Sequence, residues 1–222
     1  IKFEDKLYLF ARYINLLYSI NLVDGKVTFI GKLPQKQLCE EKLINTIICW
    51  NEKLYLIPLK EKNIWTYSLN NGILEKIELK KKDKNLYFYG KPLQMENMLY
   101  LISGVDNTIL LFNMENDNYE WREVGGKQNC YTEIEYDGNN FWLISGDNSP
   151  IVKWNGKDCF REYKFNKNDI LEDTNYKKNI KREDTISKKK ILKDSKYIFF
   201  KKINEEYFYQ CFDGRIYYIN AR

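Results

Sequence analysis

Glu52-Lys53-Leu54-Tyr55-Leu56 is one copy of a short pattern that recurs along the chain. Asp5-Lys6-Leu7-Tyr8-Leu9 precedes it. Asn97-Met98-Leu99-Tyr100-Leu101 and Asn139-Asn140-Phe141-Trp142-Leu143 follow, with Glu205-Glu206-Tyr207-Phe208-Tyr209 as a weaker fifth copy. The step from Leu7 to Leu54 is 47 residues, then 45 to Leu99, 42 to Phe141 and 66 to Tyr207. A turn-forming residue ahead of an aromatic-rich apolar run reads as a strand entered from a tight turn.

A second apolar run follows each copy at a nearly fixed distance. It begins at Leu17, Ile64, Ile109, Ile151 and Ile216, which lie 10, 10, 10, 10 and 9 residues after the matching first-run residue. Each pair predicts an antiparallel hairpin with a short loop. Turn signals come next: Asp24-Gly25, Asn71-Gly72, Asn116-Asp117-Asn118 and Asn155-Gly156. The runs after them, KVTFIG, ILEKIEL, YEWREV and CFREYKF, alternate apolar and charged residues, as half-exposed outer strands do. A further strand is expected ahead of each hairpin, at Asn45–Trp50, Leu86–Pro92, Tyr131–Tyr136 and Tyr197–Ile203.

Four antiparallel strands repeated every 42–47 residues are the pattern of a β-propeller. One such sheet cannot bury both of its aromatic faces, whereas sheets stacked around an axis can. The expected fold is therefore all-β: a propeller of four-stranded antiparallel blades, about five repeats, forming one domain over residues 1–222. The first copy has no obvious opening strand unless Ile1–Glu4 serves, and the fifth has no outer strand. Two arrangements fit: Ile1–Glu4 pairs with the last blade and closes a five-bladed ring, or the chain is part of a longer propeller. Because the chain begins at Ile1 rather than Met, removal of a preceding segment is expected. Residues 166–195 interrupt the repeat with dense mixed charge and few aromatics, and read as a solvated insertion.

Composition narrows the chemistry. The chain has 222 residues, 16% of them aromatic, and no histidine. The missing imidazole excludes Ser-His-Asp triads, Cys-His pairs and HExxH zinc sites. A net charge of +5 is too small a cationic excess for a dedicated nucleic-acid binder, so no nucleic acid partner is expected. No run approaches the ~20 apolar residues of a membrane helix, so no membrane is expected either. Cys39, Cys49, Cys130, Cys159 and Cys211 are odd in number and lack CxxC spacing. Reduced thiols in a cytoplasmic protein, with no metal and no cofactor, are the expectation.

The stretch YDGNNFWLISGDNSPIVKWNGKDCFREYKF, Tyr136 to Phe165, resembles repeats of uncharacterised, kelch-like β-propeller proteins of Firmicutes bacteria. CWNEKLYLIPLKEKNIWTYSL in the second repeat is similar to the same family. Asp137, Gly138, Asn139 and Trp142 also match the Asp-Gly-Asn turn and Trp-bearing strand of streptogramin-type lyases. Both resemblances imply a propeller. The lyase chemistry that the second implies uses a histidine base with a magnesium ion, and this chain has no histidine to supply it.

Ligands of such a fold approach the end where loops from several blades converge. The loops inside the hairpins differ from copy to copy while the strands around them repeat. Arg12, Tyr13, Lys60, Asp106, Asn107, Asp147, Asn148 and Arg215 are therefore the candidate ligand-binding residues. The reading is a non-catalytic binding or interaction propeller for a glycan or a protein partner. The alternative is a histidine-free lyase or glycosidase that uses rim carboxylates such as Asp106 and Asp147.

Overall fold

The computed structural model describes residues 1–11, 15–33, 44–80, 88, 90–145, 150–163, 197–203, 206–211 and 216–220. The charged segment 166–195 lies outside them. Every regular element among the described residues is a strand, and no helix is long and apolar enough to cross a membrane.

The strands form five antiparallel meanders. Sheet 1 contains β1 (Lys2–Phe3), β2 (Lys6–Ala11), β3 (Leu16–Asn21) and β4 (Val27–Lys32). Sheet 2 contains β5 (Ile44–Trp50), β6 (Lys53–Pro58), β7 (Asn63–Ser68) and β8 (Leu74–Glu78). In sheet 3 these are β9 (Leu93–Met95), β10 (Met98–Ile102), β11 (Thr108–Asn113) and β12 (Tyr119–Glu123). Sheet 4 has β13 (Glu133–Tyr136), β14 (Phe141–Ile144), β15 (Ile151–Trp154) and β16 (Phe160–Tyr163). Sheet 5 has β17 (Tyr197–Ile203), β18 (Glu206–Cys211) and β19 (Ile216–Asn220).

The turn residues that mark the repeat do the work their chemistry allows. Glu4, Asn51 and Glu96 take left-handed backbone at φ 50°, 46° and 51°, each opening the two-residue turn into its sheet's second strand. In sheet 4 Gly138 takes the positive φ, 98°, and the Asp137 carboxylate braces the turn around it. Its Oδ1 accepts from the Asn139 and Asn140 amides, both at 2.8 Å, and its Oδ2 accepts from Trp142 Nε1 at 2.7 Å. Ahead of the outer strands, Asn71, Asn116 and Asn155 each accept an amide two residues on, which is the Asx turn the sequence signals.

Packing follows the order of the sheets. Tyr8 and Leu17 of sheet 1 pack with Leu54, Leu56, Trp65 and Tyr67 of sheet 2. Tyr55, Ile57 and Ile64, on the other face of sheet 2, pack with Leu99, Leu101, Leu110 and Phe112 of sheet 3. Ile109, Leu111 and Tyr100 of sheet 3 pack with Phe141, Leu143, Val152 and Trp154 of sheet 4. Strand alternation sends successive side chains into successive interfaces, so sheets 2 and 3 are apolar on both faces. Leu17, Ile64, Ile109 and Ile151, which open the second apolar runs, are all 0% exposed.

Three expectations need correction. Ile1–Glu4 does supply the missing first strand, but Lys2 pairs with Leu7 and Phe3 with Lys6 in its own sheet, and among the described residues it does not pair with the last one. Of the strand expected at Leu86–Pro92, residues 86, 87 and 89 lie outside the described residues, and the first described strand of sheet 3 is Leu93–Met95. Proline has no amide hydrogen for a ladder, and Pro92 marks the entry to the strand rather than its end. Phe88 instead bridges Ser103. The strand expected at Tyr131–Tyr136 likewise begins later, at Glu133.

Candidate ligand-binding rim

Three equivalent hydrogen bonds define the end of the molecule where the hairpin loops lie. The residue after each outer strand donates its amide to the loop inside the same hairpin: Leu33 to Asn15 at 2.9 Å, Leu79 to Lys62 at 2.6 Å and Val124 to Asn107 at 2.9 Å. Leu33, Leu79 and Val124 are buried at 0%, 1% and 1% exposure. The hairpin loops and the residues that leave the outer strands therefore share one end.

Of the eight candidate residues, Lys60, Asp106 and Asn107 are described; Arg12, Tyr13, Asp147, Asn148 and Arg215 lie outside the described residues. Lys60 is exposed at the head of the second hairpin loop. Asp106 is half-buried, and its Oδ1 accepts from both the amide and the hydroxyl of Thr108, which makes it a turn residue. Asn107 is 6% exposed. Its side-chain amide donates to the Gly125 carbonyl at 3.0 Å, so it braces the loop against the connection. Val105 is 50% exposed at the loop tip.

The connections contribute groups that the repeat pattern does not flag. Glu162 Oε1 accepts from the Gly126 amide at 2.7 Å and from Asn129 Nδ2 at 3.1 Å, which ties the connection after sheet 3 to the outer strand of sheet 4. The Tyr131 hydroxyl donates to the Val124 carbonyl at 2.6 Å, and burial raises its pKa. Phe88 stacks on Trp121 with ring centroids 6.1 Å apart and planes at 6°. Asn45 Nδ2 donates to the Gly90 carbonyl at 2.7 Å.

One carboxyl has shifted chemistry. Burial, and then the neighbouring Glu135 carboxylate, push Glu133 up to about 7. Both sit on β13, the first strand of sheet 4, and the two-residue period puts them on one face. A carboxyl poised near neutrality holds or gives up a proton at working pH. The only sequence signal for it was two glutamates spaced by two on an expected strand. Among the described residues, no three His, Cys, Asp or Glu side chains are grouped to hold a metal ion.

Solved structures share this arrangement. Virginiamycin B lyase from Staphylococcus aureus superposes on 97% of this chain with a TM-score of 0.61, at 15% identity. This is a β-propeller. The chain spans 66% of that lyase, so the propeller matches only part of the longer ring. YCF48 bound to D1 peptide superposes on 98% of the chain, with a TM-score of 0.56 and 10% identity, over 61% of its own length. The extracellular domain of a putative hybrid two component system from B. thetaiotaomicron matches 96% of the propeller at a TM-score of 0.59 and 16% identity, over 26% of its own length. At these identities the likeness shows the fold alone. No protein-family model matches the propeller, and no curated protein is similar to it in sequence.

Proposed function

We propose that this propeller is a non-catalytic binding module that takes a peptide segment of a protein partner at the hairpin-loop end. The observation that carries the reading is the contrast at that end. Leu33–Asn15, Leu79–Lys62 and Val124–Asn107 hold three loops in the same way. The loops so held keep nearly the same length but differ in charge and side chains. A repeated frame that carries divergent loops is how recognition is grafted on a scaffold. YCF48, which shares the fold, was solved bound to a peptide. Exposed Lys60, together with Arg12 and Tyr13, supplies the charge and the aromatic surface that peptides use.

The lyase alternative has less support. A histidine-to-alanine variant of the Staphylococcus aureus lyase, solved with quinupristin, is described as catalytically inactive. This chain contains no histidine at all. Of the two rim carboxylates the alternative relies on, Asp106 holds its own turn through Oδ1.

Selection from a displayed random-peptide library tests the proposal. Peptides that bind the chain should lose at least about tenfold in affinity, ~1.4 kcal/mol, to Arg12→Ala/Tyr13→Ala/Lys60→Ala with melting unchanged. Equal binding to that variant would reject the rim, and conversion of a streptogramin by the unmodified chain would establish the lyase.

A further inference from the structure

The register of the sheets defines two cross-strand rows that recur in each complete sheet. The first row is Leu54–Tyr67–Leu74 in sheet 2, Leu99–Phe112–Tyr119 in sheet 3 and Phe141–Trp154–Phe160 in sheet 4. The second is Leu56–Trp65–Lys76, Leu101–Leu110–Trp121 and Leu143–Val152–Glu162. In all three sheets these rows form the face packed on the preceding sheet, and their second-strand members are buried: Leu54, Leu56, Leu99 and Leu143 at 0%, Leu101 at 1% and Phe141 at 5%.

Sheet 1 carries the same two rows, Leu7–Ile20–Val27 and Leu9–Tyr18–Phe29. All six positions are apolar or aromatic, including the outer position that is Lys76 in sheet 2 and Glu162 in sheet 4. Yet Leu7, Leu9, Tyr18 and Ile20 are only half-buried, and Val27 and Phe29 are each 62% exposed. In a sheet with one face built toward water, that face carries polar side chains. An open apolar surface of this kind marks an interaction site.

We infer that this face of sheet 1 is a blade-docking surface, and that its occupant is a further four-stranded blade of the same repeat. The occupant must present what each preceding sheet presents to these rows. That is a second-strand aromatic in the place of Tyr8 or Tyr55, and a third-strand aliphatic in the place of Leu17 or Ile64. The comparison with longer rings points the same way. Nearly the whole chain, 97%, follows the course of a propeller of which it spans 66%, so the arc its sheets describe leaves room for more blades.

The test lengthens the chain with its own sequence. Residues 44–123, which carry the complete sheets 2 and 3, are appended after residue 222. The extended chain is expected to be monomeric, to melt at least about 5 °C higher, and to lose most of the anilinonaphthalene sulfonate fluorescence that an open apolar face gives. Phe29→Glu should abolish both gains while shifting the melting of the unextended chain by less than about 2 °C. Unchanged melting and dye binding in the extended chain would overturn the inference. So would an unextended chain that is a dimer dissociated by Phe29→Glu, because a second copy would then be the occupant. If the two-blade extension does not fold, a one-blade extension, residues 81–123, is read by hydrogen exchange. Slowed exchange at the β4 amides supports the inference. Unchanged exchange, or failure of both extensions to fold, counts against it.

Discussion

The Tyr55 hydroxyl, buried in sheet 2, donates to the Met114 carbonyl oxygen at 2.6 Å across the boundary with sheet 3. Beside it, Lys53 Nζ pairs with Asp117 Oδ2 at 2.7 Å. Burial, with the Asp117 carboxylate adding to it, raises the pKa of the Tyr55 hydroxyl and keeps it a donor. Tyr55→Phe leaves the Met114 carbonyl unpaired inside an apolar interface. It should cost about 1–3 kcal/mol in urea unfolding. A change under about 0.3 kcal/mol would show that the hydroxyl is not spanning the two sheets.

Trp142 is 0% exposed, and its indole nitrogen donates to Asp137. Trp142→Ala removes a large buried ring and its hydrogen bond to Asp137. The expected loss is about 3–5 kcal/mol, measured by denaturant titration. A loss below about 1 kcal/mol would place Trp142 at the surface and refute the register of sheet 4.

Glu133 gives a signed pH dependence. Its folded pKa is raised to about 7, above the ordinary carboxylate value that the unfolded chain has. Below that ordinary value both states are protonated and the stability is fully present. As pH rises towards 7, the unfolded state loses its proton first, so stability falls. Glu133→Gln should flatten the decline between about pH 5 and 8 and melt higher than the parent at the upper end. A steeper decline in the variant would show that the carboxyl is stabilised as its anion.

Gly125 and Gly25 both take left-handed backbone, at φ 80° and 74°, but only one is crowded. A Cβ at Gly125 would collide with the Tyr131 hydroxyl and the Asn129 amide, whereas nothing lies near one at Gly25. Gly25→Ala should cost about 1 kcal/mol from backbone alone, and Gly125→Ala clearly more. Equal costs would mean that the connection after sheet 3 is not packed against Tyr131.

The strands were legible because the repeat fixes them five times over. Leu17, Ile64, Ile109 and Ile151 announce their burial through spacing alone, and the Asx turns through their residue types. The rim was less legible. Asp106 and Asn107 looked like ligand residues because Asp-Asn in a divergent loop is what recognition uses. What they do depends on partners that spacing does not reveal: Thr108 for Asp106, and Gly125, 18 residues away, for Asn107. The raised Glu133 carboxyl was out of reach for the same reason, since its burial is set by how the surrounding chain packs.

That successive sheets are stacked blades is tested most directly by a double-mutant cycle across the boundary between sheets 3 and 4. The Tyr100 and Phe141 rings lie with centroids 4.6 Å apart and planes at 38°. Unfolding free energies of Tyr100→Leu, Phe141→Leu and the double variant should yield a coupling of about 0.5–1.5 kcal/mol. Additive losses, with no coupling, would mean that these rings do not meet and that the two sheets are not neighbouring blades.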